Sequence, residues 1–353
     1  MSKAAICVVV PVYKAMATLD RCVESVLAQQ VEGGLTCILV DDGSPDESGA
    51  LCDAWAAKDD RVTVIHQDDL GVSGARNSGL AAADSEFIVF LDSDDALRPG
   101  ALQAALIAQR AAPQDFVVWH YTTDEKDPAA VTADAEPRTQ AGLARLWLDC
   151  LLAMPWNKLY RTDLAKQLQF DVQYTLGEDL QFVLDYIALL GQTVPEFGYR
   201  VMTSPLTFYD CSRGGTLSTR YHANYCDIWP KHFAKLNAAC HAAACPAEDM
   251  RPLHRAELQV FAEGVADIMR RDPSPTQRLK GYKAEAALRS PWLRALLERM
   301  KIEHCYSAYY LPCRWHNVGL VCRVDEARRA NAPLYGKLDW AGYYLLLGRM
   351  RRD

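Results

Sequence analysis

Over the first 120 residues, short apolar runs alternate with amphipathic stretches. Residues 6–12, 37–40, 62–66, 87–91 and 116–119 are the runs, rich in Val, Ile, Leu and Phe, and read as strands buried on both faces. Between the first two, Leu19, Cys22, Val23, Val26 and Leu27 recur at helical spacing behind Thr18, a candidate N-cap. Residues 44–47, Ser-Pro-Asp-Glu, read as a capping box with proline at the first helical position, ahead of Leu51, Cys52 and Trp55. Further helices are expected through Arg76 and Asn77 to Ala83, and over 99–109. This alternation predicts an α/β fold: a mostly parallel, Rossmann-like sheet with helices on both faces and a ligand site outside the carboxyl ends of its strands.

Beyond this the pattern changes. Residues 122–140, rich in Thr, Asp, Glu, Lys and Pro, read as a lightly packed loop, and helical spacing returns at 143–152 and after Gly177. From 224 onward helices dominate, over 225–244, 253–270 and 277–300. A boundary near 218–224 gives one domain over 1–220 and a mainly helical C-terminal region over 221–353, suited to an acceptor-side, oligomerisation or membrane-surface role.

Composition narrows the class. Half of the 353 residues are hydrophobic and 24% are charged, an ordinary globular balance without low-complexity segments. The first hundred residues hold 7 Lys and Arg against 17 Asp and Glu, which argues against a nucleic-acid partner and suits a site that recruits a cation before a phosphate. The chain has no window of eighteen apolar residues and opens without a signal-peptide pattern, so it reads as cytoplasmic. Its 12 cysteines include no C-x-x-C pair and read as reduced. His304, Cys305, Cys313, His316 and Cys322 gather loosely, at spacings that fit no zinc pattern. Near the end, Tyr343, Tyr344 and the apolar 345–347 precede Arg349, Arg351 and Arg352. Such a segment docks on the protein's own core or lies peripherally on an anionic membrane surface.

The chemistry gathers at strand ends. Residues 87–95, Phe-Ile-Val-Phe-Leu-Asp-Ser-Asp-Asp, run a buried strand into three acids. Such a cluster repels itself; either a divalent cation offsets the repulsion or the acids form a polar turn before the next helix. Residues 11–14 and 41–44 also sit at strand ends and should converge with 92–95. Glu178 and Asp179 open a helix, where acids also complement the dipole. The G-x-G-x-x-G turn, the P-loop and the G-x-S-x-G elbow are all absent.

Six ordered blocks carry a family resemblance: 8–13 (Val-Val-Val-Pro-Val-Tyr), 39–46 (Leu-Val-Asp-Asp-Gly-Ser-Pro-Asp), 71–79 (Gly-Val-Ser-Gly-Ala-Arg-Asn-Ser-Gly), 90–95, 156–160 (Trp-Asn-Lys-Leu-Tyr) and 178–179. Together, over about the first 220 residues, the chain resembles the inverting family 2 glycosyltransferases of GT-A fold. The resemblance implies a UDP-sugar donor, a glycan or lipid-linked acceptor and a Mn²⁺ or Mg²⁺ cofactor, as in bacterial polysaccharide synthesis. By the match, Pro11 and Tyr13 line the nucleobase, Asp41 accepts from it, and Asp42 and Ser44 shape the loop. Asp92-Ser93-Asp94 resembles the D-x-D motif, with Asp92 near the ribose and cation, Asp94 on the cation and Asp95 supporting the turn. Arg76 lies near the donor or pairs with one of these acids. Glu178-Asp179 matches the acidic base motif, with Asp179 as the base; His222 is a further candidate for the metal. Lys14 and Asp69 depart from the asparagines usual in the family, which bears on donor-sugar preference. A homo-oligomer is compatible with this reading. A nucleotidyltransferase, or a non-catalytic sugar-nucleotide-binding or scaffold protein, is the alternative.

Overall fold

Residues 4–12 form the central strand because nothing in them has to meet water: Ile6, Cys7, Val8, Val9 and Val10 are fully buried. The computed structural model describes residues 3–174, 176–212 and 220–331. The chain divides into two compact units, Met1–Gly214 and Gly215–Asp353.

In the first unit the elements are β1 (Ala4–Val12), α1 (Leu19–Leu27), β2 (Leu35–Asp42), α2 (Ser48–Lys58), β3 (Val62–Gln67), α3 (Gly71–Ala82), β4 (Ser85–Phe90), β5 (Ala96–Leu97) and α4 (Ala101–Ala111). They continue as β6 (Phe116–Thr122), β7 (Ala135–Thr139), α5 (Leu143–Leu148), β8 (Lys158–Arg161), α6 (Thr162–Ala165), α7 (Glu178–Thr193) and β9 (Gly198–Phe208). The nine strands make one sheet in the order β3-β2-β1-β4-β8-β6-β9-β5, with β7 paired to β9. It is parallel through β3-β2-β1-β4, as the alternation predicts. Beyond that it is mixed, because β8 returns antiparallel between β4 and β6.

Side chains of β1 alternate between two cores. Val8 and Val10 pack with Leu19, Cys22, Val23 and Val26 of α1 on one face, and Val9 meets α3 on the other. Pro11 is tolerated in this central strand for a reason of register. Val9 accepts from the Leu91 N–H at 3.0 Å, so its polar groups face β4. Two residues on, Pro11 faces the same side beyond the last residue of β4, Phe90, so its missing N–H falls past the end of the β1-β4 ladder.

Gly79 sets the spacing between α3 and the sheet. A Cβ there would lie 2.3 Å from Val9 Cγ1, on a side chain that χ1 stiffness holds in place. Alanine gains about 1 kcal/mol of helix propensity, but overpacking costs about 1–3 kcal/mol. At so short an approach the clash wins, so Gly79→Ala is expected to cost about 1–2 kcal/mol net; a urea midpoint equal to or above the parent's would show that α3 can move.

Three local expectations are corrected. Ser44 does not cap a helix: its N–H donates to Asp41 Oδ1 at 3.1 Å, which keeps Ser44 and Pro45 in the turn, and α2 starts only at Ser48. Segment 122–140 is not a bare loop, since β7 pairs with β9 and Arg98 donates to the Asp127 and Ala129 carbonyls. The helix expected over 277–300 breaks at Ser290, whose hydroxyl caps a new start with Pro291 at its first position.

The second unit is helical: α8 (Tyr225–Ala242), α9 (Ala247–Arg271), α10 (Gln277–Leu288), α11 (Pro291–Ile302), α12 (Tyr310–Arg314) and α13 (Val318–Arg329). Buried Asp325 on α13 receives hydrogen bonds from Arg270, Arg328 and Arg329. His254 Nδ1 lies 2.6 Å from Glu303 Oε2, and Cys305 Sγ donates to the same oxygen at 3.6 Å. With Arg299 3.4 Å from its other nitrogen, His254 sits in a hydrogen-bonded charge network. Among the described residues, no helix is long and apolar enough to cross a membrane; the arginine-rich segment 340–353 lies outside them.

Candidate active site

Two strand ends and one helix start supply the acids. Asp41 and Asp42 finish β2, Asp92, Asp94 and Asp95 follow β4, and Asp179 stands in the first turn of α7. Gly177 permits that turn: its φ of 77° is left-handed, where residues with a Cβ are strained.

Arg76 on α3 is the hub. Only 3% exposed, it donates through Nη1 to Asp179 Oδ1 at 2.6 Å and through Nη2 to Asp92 Oδ1 at 2.8 Å. Burial works to lower the Arg76 pKa, but the charges of Asp179 and Asp92 outweigh it and hold the guanidinium protonated. Burial pushes Asp179 up to about 7, against the pull of Arg76 and with help from Glu178. Of the two options for Arg76, the pairing with the acids is the one seen in the geometry.

Asn77, its neighbour, clamps the approach to α7, donating to the Phe170 carbonyl and accepting from the Phe170 N–H, both at 2.8 Å. Phe170 in turn stacks on Phe182 at 4.0 Å, meets Phe90 edge-on and lies 5.4 Å beneath the Arg76 guanidinium. The acids thus rest on a fixed aromatic floor.

Asp41 Oδ2 lies 3.0 Å from His66 Nδ1. Burial raises the carboxyl, but bonds from Ser44 and His66 exceed that effect and keep it below the ordinary range, an ionised acceptor. Asp42 holds the loop after β3, accepting from Gln67 Nε2 at 2.6 Å and the Leu70 N–H at 3.0 Å. Ser44 Oγ accepts from the Lys14 N–H at 3.3 Å, which joins the ends of β1 and β2. The Tyr13 ring, 44% exposed, lies under the Lys14 ammonium at 5.0 Å. Asp95 is fully buried; burial first, then the Asp92 charge, pushes it up to about 9, and among the described residues its Oδ2 has no partner.

His222 belongs to the second unit, in the turn before α8, where its carbonyl accepts from the Tyr225 N–H at 3.1 Å. Sequence reasoning missed several supports. Lys158 Nζ is buried among the Leu151 and Met154 carbonyls and Asn157 Oδ1, at 2.5–2.7 Å, which explains the Asn-Lys pair of the fifth block as a knot in the chain. Arg21 and Asp210 also reach the acidic turn. The helical spacing could have pointed to Arg21, because it shares a face with Ser25; Asp210 had no such signal.

Residues 7–169 match the family model described as Glycosyl transferase family 2. Glycosyltransferase GlyG of Streptococcus pneumoniae is 39% identical over 124 residues, 35% of this chain and 41% of that protein. The succinoglycan biosynthesis protein ExoO of Rhizobium meliloti is 31% identical over 211 residues, 54% of this chain and 58% of its own length. The chain thus spans about half the length of these curated relatives. Among solved structures, TarS 1–349 of S. aureus in complex with UDP-GlcNAc superimposes with a TM-score of 0.61, covering 93% of this chain and 92% of that one at 17% identity, a likeness of fold.

Proposed function

We propose that the family 2 glycosyltransferase domain carried by residues 7–169 and completed by α7 and β9 moves a sugar from a UDP-sugar to a hydroxyl of a glycan or lipid-linked acceptor, with inversion, in bacterial polysaccharide synthesis. One observation carries this reading: a single buried guanidinium, Arg76, joins an acid of the D-x-D turn to an acid at the start of α7. Inverting transfer needs a base held beside the donor site to take the acceptor hydroxyl's proton, and this link holds Asp179 beside the D-x-D turn. The succinoglycan role in the name of ExoO and the UDP-GlcNAc held by TarS support the substrate classes.

The exposed Tyr13 ring stacks on the base beside Pro11, and ionised Asp41 accepts from the uracil imide. Asp42 and Ser44 keep that wall in place. Asp179, helped by Glu178, takes the proton of the attacking hydroxyl. The acidic turn fits a divalent cation: among the described residues Asp95 Oδ2 is a buried oxygen without a partner, and Asp92, Asp94 and Asp95 crowd one turn. Asp94 and Asp92 would hold Mn²⁺ or Mg²⁺, which offsets the charge that builds on a departing diphosphate.

A panel of UDP-sugars incubated with the full chain and Mn²⁺ tests the reading. Free UDP is expected from one or a few of them, and faster with an acceptor glycan present. Tight UDP-sugar binding without UDP release under any condition would favour a non-catalytic binding protein instead.

A further inference from the structure

The acidic turn is held by a helix that offers it no ligand. From α1 and the turn just after it, four residues reach the chain between positions 92 and 98. Arg21 Nη2 donates to the Asp94 carbonyl at 2.6 Å, and Cys22 Sγ to the Asp92 carbonyl at 3.6 Å. Ser25 Oγ accepts from the Leu97 N–H at 3.0 Å, and Gln29 Nε2 donates to the Arg98 carbonyl at 2.9 Å. Positions 21, 22 and 25 share one face of α1, and Gln29 follows two residues past its end. All four bonds go to main-chain atoms, so the turn is shaped without drawing on the Asp92 or Asp94 carboxylates.

The far side of the turn is held as well. Directly after it, β5 pairs with the end of β9, Leu97 with Thr207 and Ala96 with Phe208. Two residues past Phe208, the Asp210 N–H donates to Asp95 Oδ1 at 3.0 Å, and Asp210 Oδ2 accepts from the same Arg21 Nη2 at 2.6 Å. The Arg21 guanidinium lies over the Phe208 ring at 5.1 Å, with Glu125 Oε1 3.7 Å from Nη1. Bonds from Ser212 and then Arg21 hold the Asp210 carboxyl down to about 2. Only 9% exposed, it is a fourth carboxyl group against a turn that already carries three, and it is held ionised. Arg21 balances it.

Resting on the glycosyltransferase reading above, we infer that Arg21, paired with Asp210, is a positioning residue that sets the affinity of the Asp92–Asp95 turn for a divalent cation and the diphosphate it neutralises. The bonds to the Asp94 carbonyl and to Asp210 fix where the acids stand. Without Arg21 the turn loses one anchor and gains an uncompensated charge at Asp210.

The test uses the full chain and four variants: Arg21→Gln, Arg21→Lys, Asp210→Asn and the double Arg21→Gln/Asp210→Asn. UDP affinity is measured by calorimetry with and without Mn²⁺, and donor hydrolysis is followed across a Mn²⁺ titration. Arg21→Gln is expected to weaken Mn²⁺-dependent UDP binding about 10-fold and to raise half-saturating Mn²⁺ by a similar factor, with a smaller fall in kcat at saturation. Lysine restores part of the affinity through its charge. The double variant binds better than Arg21→Gln alone, because the unbalanced Asp210 charge has gone. A merely structural role would lower Tm and leave the half-saturating Mn²⁺ where it was; that result, or unchanged UDP affinity in folded Arg21→Gln, overturns the inference. If the parent chain binds no UDP with Mn²⁺ present, the glycosyltransferase reading fails and takes this inference with it. A parent that binds beside an unaltered Arg21→Gln removes the inference alone.

Discussion

Asp179→Asn is expected to lower turnover about 10²–10⁴-fold, the range of a general base, while UDP-sugar affinity changes little. Asparagine keeps the size of the side chain and an oxygen that can accept from Arg76 Nη1, so the donor wall retains its geometry. What disappears is the capacity to take a proton. Burial places the Asp179 carboxyl at about 7, and the base acts only when deprotonated. Parent kcat/KM should therefore climb about tenfold per pH unit below 7 and level off above it. The asparagine variant should lose that limb. Parent-like turnover in Asp179→Asn, or a parent profile flat between pH 5 and 8, would remove Asp179 from the role.

The second large effect is expected at Asp94→Ala, through the cation. Turnover should drop about 100-fold or more, as when one stabiliser of developing charge is removed. UDP binding should lose its dependence on Mn²⁺ in calorimetry. Metal-dependent binding of parent strength in this variant would place the cation elsewhere.

Much of this architecture was legible because it is local. Runs such as 6–12 and 87–91 can only be buried strands, and the acids that end them lie at the carboxyl edge by the geometry of parallel sheets. The parallel character of β3-β2-β1-β4 was expected from the alternation. Long-range pairing was not legible in this way. β8 is four residues long and enters between β4 and β6 from some seventy positions downstream, and nothing in Lys-Leu-Tyr-Arg says which neighbour it takes. β7, with Glu, Pro and Arg among its five residues, has a loop's composition and is a strand only because β9 supplies an edge.

The site divides along the same line. Asp41, Asp92 and Asp179 were visible as acids at element ends, but that one guanidinium joins two of them is a fact of tertiary distance. Ser44 shows the reverse case. Its cap pattern was sound by local rules and lost to a competing acceptor, Asp41, three residues earlier. Lys158, part of the fifth block, is spent on carbonyl oxygens of its own loop.

The late insertion of β8 also orders events during synthesis. A nascent chain that has emerged only to residue 150 carries β4 with one edge still bare, and β6 has neither of its eventual neighbours. A chain ending at residue 169 would supply β8 but not β9, leaving a row of unpaired N–H and C=O groups along β6. Such an edge invites pairing with another nascent chain, so the ribosome must deliver about forty residues beyond that point before the sheet protects itself.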